Sequence, residues 1–146
     1  MGNVILISIK EKYVQEILSG RKTIELRKSK PTARPGDVII IYTTQPVKAV
    51  TAVAVIENII SCTPDIMWRD HKESLGIEES DFFDYYKNAK KAIGIELKSV
   101  TKLDANILLS AIKIIYPNFS PPQTFKYLNK YSTLKDFKTI QKGDVS

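Results

Sequence analysis

The densest set of chemically capable side chains lies in residues 20–28, which read Gly-Arg-Lys-Thr-Ile-Glu-Leu-Arg-Lys. Two-residue alternation over residues 23–28 places Glu25 and Arg27 on one face of a strand, about 6.5 to 7 Å apart, with Lys22 just before it. Lysine and arginine bind phosphate or carboxylate groups, while a glutamate accepts hydrogen bonds from a base or amide edge. The segment predicts an anion- or nucleotide-binding site; the alternative is a solvated strand face with an ordinary Glu–Arg ion pair.

The elements before this segment are predicted from hydrophobic periodicity. Val4–Ile9 is a short apolar run and predicts a strand, whereas Glu11–Ser19 has helical spacing. Gly20 stands where a helix commonly ends in a left-handed residue, so we expect the helix to end there. Residues 23–28 then form a half-buried strand with a polar face.

The middle of the chain predicts more strands around a helical insertion. Val38–Thr43 is apolar and β-branched, and residues 47–60 exceed the usual strand length, so we expect a bend or bulge there. Residues 63–90 have helix-like spacing and predict two short helices. Residues 92–103 return to alternation, and Gly94 marks a bulge or a close backbone approach.

The last part of the chain is less regular. Residues 106–115 are compatible with a helix or a strand, residues 117–122 predict a loop, and residues 123–129 predict a short helix. We therefore expect one domain over residues 1–129 and a polar tail, helical or frayed, over residues 130–146.

These elements predict an α+β fold. About five or six strands mix with short helices, without the regular alternation of a doubly wound sheet and without a glycine-rich phosphate loop. With 146 residues, of which 43% are hydrophobic, the chain has the size of one domain. A small, curved or closed β-barrel with short helices around it fits best.

The amino-acid composition limits the classes of partner, metal site and cellular location that the chain could have. The net charge of +6 and the sequence pI near 9.3 make an anionic partner worth considering, and the alternative is an ordinary soluble protein with the same excess of basic residues. A single cysteine, Cys62, and a single histidine, His71, exclude an internal disulfide and cysteine or histidine zinc clusters, so we expect no metal and no cofactor. No apolar run is long enough to span a membrane and no signal peptide is recognisable, which predicts a cytoplasmic protein without a membrane partner.

Residues 20–28, followed by Pro35-Gly36-Asp37 and an apolar strand that reaches Tyr42 and Thr43, resemble the ASCH domain of the PUA-like superfamily of small β-barrels. Residues 117–128 resemble the C-terminal signature of the same family. The resemblance implies a barrel with a cleft beside the strand, suited to nucleic acid or a nucleotide-like ligand.

The resemblance also suggests an enzymatic alternative. Some small bacterial ASCH proteins hydrolyse the acetyl amide of acetylated cytidine with a lysine, a threonine three positions later and a distant glutamate. Lys22 matches the lysine, but Glu25 stands where the threonine nucleophile would be, and Thr23 is the nearest hydroxyl. Glu73 and Glu78 are both candidates for the distant glutamate. A route in which Glu25 activates water and Lys22 stabilises the oxyanion stays open.

Further candidate residues come from neighbouring elements. Lys10, Tyr42 and Thr43 end predicted strands, so by resemblance they line the same barrel mouth. Gln123 and Tyr127 are four residues apart and share a helical face, which either offers an amide and a ring to a base or packs on the barrel.

A cluster of aromatic residues at helical spacing predicts core packing rather than a stacking surface. The cluster comprises Trp68, Phe82, Phe83, Tyr85 and Tyr86.

The sequence thus predicts a binding domain for RNA or a nucleotide-like ligand, and it leaves DNA open as well. The alternative is an amidohydrolase acting on an acylated nucleoside, with Lys22 and Glu25 as catalytic residues. The predicted ligand-binding residues are Lys10, Lys22, Glu25, Arg27, Tyr42, Thr43, Gln123 and Tyr127.

Overall fold

A computed structural model describes residues 3–128, and the predicted tail at residues 130–146 lies outside them. Within this range, six strands form one curled sheet: β1 Val4–Ile9, β2 Ile24–Arg27, β3 Val38–Thr43, β4 Ala49–Cys62, β5 Ala92–Leu108 and β6 Phe125–Leu128. Four helices surround it: α1 Glu11–Ser19, α2 Pro64–His71, α3 Glu79–Tyr85 and α4 Leu109–Ile115. The strand order β2-β5-β4-β3-β1-β6 leaves β2 and β6 as edges, which confirms the predicted α+β class and the curved sheet.

Both faces of β1 are covered, which explains its nearly continuous apolar sequence. Ile5, Ile7 and Ile9 pack in one core cluster with α1, whereas Val4 and Leu6 pack in a second cluster with α4. The strand pairs in parallel with β3 and antiparallel with β6. The bounds of β1, α1 and β3 are those predicted, and α1 ends at a left-handed Gly20 with φ +86°.

The bend predicted in β4 is present as three register shifts in its pairing with β5, between Val50 and Ala52, after Val53 and after Ile56. These irregularities increase the local twist and help the sheet to curl. The ambiguous segment at residues 106–115 divides into the end of β5, which runs to Leu108, and helix α4.

The insertion between β4 and β5 contains the two predicted helices and packs on the edge strand β2. Met67 of α2 and Phe82 of α3 form a third core cluster with Ile24 and Leu26. The predicted close approach at Gly94 lies in this cluster, because a Cβ there would come within 2.9 Å of Ile24 Cγ2. None of the helices in residues 3–128 has the length and apolarity to cross a bilayer.

The helix predicted at residues 123–129 is wrong, because Phe125–Leu128 forms strand β6. Local spacing suggested a helix, but pairing with the free edge of β1 satisfies the backbone of this segment as a strand. Tyr127 therefore does not share a helical face with Gln123.

The aromatic cluster packs as predicted at Phe82 and Tyr86, which are buried, and at Trp68 and Phe83, which pack against them. Tyr85 differs, since its side chain is 38% exposed.

The hydroxyl of Tyr86 links the insertion to β2. It donates to the backbone oxygen of Arg27 at 2.9 Å in a buried position. We expect Tyr86→Phe to lower the free energy of unfolding by about 1 to 2 kcal/mol, because the buried carbonyl loses its donor. Urea denaturation monitored by circular dichroism measures this change.

Tyr127→Phe is the matched control. The Tyr127 hydroxyl accepts from the backbone nitrogen of Thr32 at an exposed position, where water replaces the lost partner. We expect a change below about 0.5 kcal/mol. Equal losses in the two variants would contradict the linking role of Tyr86.

Candidate functional site

A cavity of about 810 Å³ opens at one end of the sheet. Its walls come from the end of β1 and the start of α1, from β2, from the connection between β3 and β4, from α3 and from residues 121–123. Elements far apart in the sequence therefore meet at this opening. Its polar lining residues include Ser8, Lys10, Lys12, Tyr13, Lys22, Glu25, Arg27, Tyr42, Lys48, Asp81, Asp84, Tyr85 and Gln123.

Glu25 and Arg27 form the floor of the cavity. Strand alternation turns them into the cavity and turns Ile24 and Leu26 into the core cluster of the insertion. The Arg27 guanidinium donates through Nε to Glu25 Oε2 at 2.9 Å, and its NH2 lies 2.8 Å from the same oxygen. Glu25 is 7% exposed and Arg27 9% exposed, so the solvated ion pair considered as an alternative is excluded. The prediction of a half-buried strand is corrected too, since all four residues of β2 are buried.

Arg27 also spans the gap between the two edges of the sheet. Its NH2 donates to the backbone oxygen of Ser8 in β1 at 2.7 Å, and its NH1 lies 3.5 Å from the backbone oxygen of Thr124, just before β6. The ring of Phe125 lies 5.6 Å from the guanidinium carbon. One side chain thus joins β2 to β1 and β6 where no backbone pairing does so among the described strands.

Lys22 is the second buried cation. It is 3% exposed, and its Nζ donates to the backbone oxygen of Leu75 at 2.8 Å and lies 3.8 Å from Glu25 Oε1. Burial lowers the pKa of Lys22 below its ordinary value; the charge of Glu25 opposes this shift and that of Arg27 adds to it. Gly76 makes room for this side chain, because a Cβ there would lie 2.6 Å from Lys22 Cβ.

The rim differs from the floor because its charged residues are exposed. Lys10 and Lys12 lie at the start of α1, and Lys48 lies before β4. Helix α3 supplies Asp81 and Asp84, and it also supplies the Tyr85 ring. A basic rim from two elements and an acidic rim from a third therefore surround the buried charges.

Most of the predicted ligand-binding residues line this cavity: Lys10, Lys22, Glu25, Arg27, Tyr42 and Gln123. Thr43 and Tyr127 lie outside the lining. Thr43 shares a 2.7 Å hydrogen bond with the hydroxyl of Thr51 inside the protein, and the Tyr127 hydroxyl binds the backbone of Thr32. Thr23 is exposed and also lies outside the lining.

The lining residues that were not predicted include Ser8, Lys12, Lys48 and Tyr85. For Ser8 the sequence holds a signal, because it is the polar interruption of the apolar run in β1. The lysines look like ordinary surface residues, and Tyr85 shares the spacing of its core neighbours. Over residues 3–128, no group of three histidine, cysteine, aspartate or glutamate residues is placed to hold a metal ion.

The charge of Glu25 offsets part of the lowering that burial causes in the pKa of Lys22. We therefore expect Glu25→Gln to lower the pKa of Lys22 further, because burial and the Arg27 charge are then opposed only by the smaller effect of Glu16. Titration of ¹³Cε-labelled lysines by NMR, with Lys22→Arg used to assign the signal, measures this value.

Glu57→Gln is the matched control, since Glu57 pairs with Lys98 on the exposed surface. It should leave the Lys22 titration unchanged. A Lys22 signal that titrates at or above the ordinary 10.5 in the wild-type chain would contradict the assigned environment.

Comparison with known proteins identifies the family. A model of the ASCH domain matches residues 7–104. A curated relative from Zymomonas mobilis, an ASCH domain-containing ribonuclease, is 32% identical over 130 residues, which cover 89% of this chain and 87% of the relative.

Solved structures agree with the sequence match. The crystal structure of ASCH from Zymomonas mobilis superposes with a TM-score of 0.85 at 30% identity, over 92% of this chain and 94% of that one. The N-terminal domain of McrB from Staphylothermus marinus shares the fold alone, with a TM-score of 0.59 at 10% identity over 95% of this chain and 93% of that one. The small barrel-like architecture implied by the resemblance is thereby confirmed, and the chain belongs to the ASCH domain family.

Proposed function

We propose that this chain binds single-stranded RNA, with one nucleotide held in the cavity and the adjoining phosphates at its rim. The observation that carries this proposal is the division of charge between rim and floor. Exposed Lys10, Lys12 and Lys48 are free to follow a phosphate backbone, whereas the cations of Lys22 and Arg27 are already bonded within the protein. Phosphate contacts position a nucleic acid, and base contacts give selectivity.

The lining suits a nucleotide better than a bare anion. Five cationic side chains face three carboxylates around the described cavity. The acidic residues Asp81 and Asp84 repel phosphate from the side of α3. Tyr85 lies there too; Lys28 Nζ lies over its ring, 4.6 Å from the centroid, so a base would stack on the part of the ring that stays exposed. Unpaired bases stack on aromatic rings of this kind, so the base faces α3 and the phosphates face the lysines.

The relative from Zymomonas mobilis supports RNA as the nucleic acid that binds here, because that relative is named a ribonuclease. We extend the proposal to RNA cleavage. In this step a 2′-hydroxyl of the RNA attacks the adjoining phosphorus, the bond from phosphorus to the 5′-oxygen breaks, and that oxygen takes up the proton lost by the hydroxyl. The lysines of the rim, which hold the phosphate, stabilise the negative charge that develops on it. We expect this activity in the cytoplasm, where the sequence predicts the chain to reside.

RNA binding tests the proposal directly. We expect the affinity for a short single-stranded RNA to fall steeply between about 50 and 200 mM salt, because bound phosphates release counterions. Lys12→Ala removes a rim cation and should reduce the slope of log K against log salt by about 0.7, the value for one phosphate contact on a single strand. Fluorescence anisotropy at several salt concentrations measures both quantities.

Lys102→Ala is the charge-matched control. Lys102 is exposed in β5 and lies outside the cavity, so this variant changes the net charge equally but should keep the wild-type slope. RNA binding without salt dependence, or an equal effect of the two variants, would argue against phosphate binding at the rim.

A second candidate is amide hydrolysis on an acylated nucleoside, favoured by the placement of Glu25 Oε1 3.8 Å from Lys22 Nζ inside the cavity. Glu25 would take a proton from water as it attacks the carbonyl carbon, Lys22 would stabilise the oxyanion, and the proton would pass to the departing amine. The exposed position of Thr23 argues against a threonine nucleophile in this cavity.

One assay separates the two activities. We expect the pure chain to shorten an end-labelled single-stranded RNA and to leave acetylated cytidine intact, as read by gel electrophoresis and by chromatography. Acetate release that falls by about 100-fold in Glu25→Gln would instead establish the second candidate. Failure to cleave RNA despite salt-dependent binding would restrict the function to binding.

A further inference from the structure

Ser8 carries a buried hydroxyl that the fold does not satisfy. Among the residues that the structure describes, its Oγ is the buried side-chain oxygen or nitrogen without a hydrogen-bond partner. Folded proteins pair nearly all buried polar atoms, because an unmade hydrogen bond lowers stability. Because Ser8 also belongs to the lining of the cavity, its unpaired hydroxyl is suited to pair with a ligand bound there.

Pairing with β3 and a hydrogen bond from Arg27 fix the backbone position of Ser8. It lies near the end of β1, where it pairs with Tyr42 of β3, and both residues line the cavity. Its backbone oxygen accepts from Arg27 NH2 at 2.7 Å, and the same nitrogen lies 2.8 Å from Glu25 Oε2. The backbone of Ser8 and the carboxylate of Glu25 are consequently linked through one nitrogen atom of Arg27.

The other polar groups of the floor are largely committed. Lys22 Nζ donates to the backbone oxygen of Leu75, and Glu25 Oε2 accepts from Arg27. Glu25 Oε1 lies 3.8 Å from Lys22 Nζ, beyond hydrogen-bond distance, and no hydrogen bond to it is present within residues 3–128. The floor atoms with open hydrogen-bonding capacity thus include Ser8 Oγ and Glu25 Oε1.

We infer that Ser8 is a ligand-binding residue whose hydroxyl, together with Glu25 Oε1, hydrogen-bonds the N–H-bearing edge of a nucleobase. This assignment rests on the proposed RNA binding and states which part of the nucleotide reaches the floor. A carboxylate oxygen paired with arginine accepts hydrogen bonds, so the group opposite it must donate. A phosphate has only acceptor oxygens and would be repelled by Glu25, which leaves the phosphates at the lysines of the rim.

The test compares a ligand that has bases with one that has only phosphates. Ser8→Ala should weaken binding of a short single-stranded RNA about tenfold, the effect of one lost hydrogen bond to a charged or buried site. Its salt slope and its affinity for inorganic tripolyphosphate should stay at wild-type values. Lys12→Ala, in contrast, should weaken binding of both ligands. The Tm of Ser8→Ala should equal or exceed that of the wild-type chain, because this substitution removes an unpaired buried hydroxyl.

Two further variants keep the result interpretable. Ser8→Cys keeps the shape of the side chain, with a somewhat larger sulfur atom that bonds hydrogen weakly, and should also weaken RNA binding. Ser61→Ala, at an exposed position in β4, is the matched control and should bind both ligands like the wild-type chain.

The possible failures differ from one another. Wild-type RNA affinity in Ser8→Ala, an equal loss of tripolyphosphate binding, or a lowered Tm would overturn the assignment of Ser8 while leaving RNA binding intact. Absence of RNA binding by the wild-type chain would overturn the proposed function and this assignment together.

Discussion

The buried Arg27 guanidinium is the interaction on which the rest of the structure depends. The sheet has two free edges, β2 and β6, and the guanidinium joins them through Ser8 and Thr124. A buried cation is stable only when it is paired and fully hydrogen-bonded. Glu25 supplies the charge and the carbonyl oxygens supply the remaining acceptors, so the contact that holds the sheet curled also fixes the floor of the cavity.

Because Arg27 both joins the sheet edges and forms the floor, its strand β2 must be held firmly, and the helical insertion packs on this four-residue strand. The insertion donates from Tyr86 to the backbone of Arg27, and it accepts from Lys22 at Leu75. Its apolar side chains meanwhile cover the opposite face of β2. These contacts fix the position of β2, and with it the positions of Glu25 and Arg27 in the cavity. Gly76 leaves the space that the Lys22 side chain requires.

Elements with a local signal could be predicted from the sequence, and contacts between distant elements could not. Strand β1 and helix α1 have the predicted bounds because periodicity and the left-handed Gly20 are local features. Residues 125–128 were misassigned because their strand depends on the free edge of β1. The floor was predicted because Lys22, Glu25 and Arg27 lie within one segment, whereas Ser8 and Lys48 join them only through the fold.

The net charge of +6 is therefore a poor measure of how this chain would attract an anion. Two of the five cations around the cavity, Lys22 and Arg27, are buried and bonded to protein groups. Their charges therefore stabilise the arrangement of the floor. The lysines at the rim keep their hydration and can exchange it for phosphate oxygens. In the proposed RNA complex, electrostatic attraction would come from the exposed residues of the rim, whereas selectivity would depend on single hydrogen bonds to the open groups of the floor.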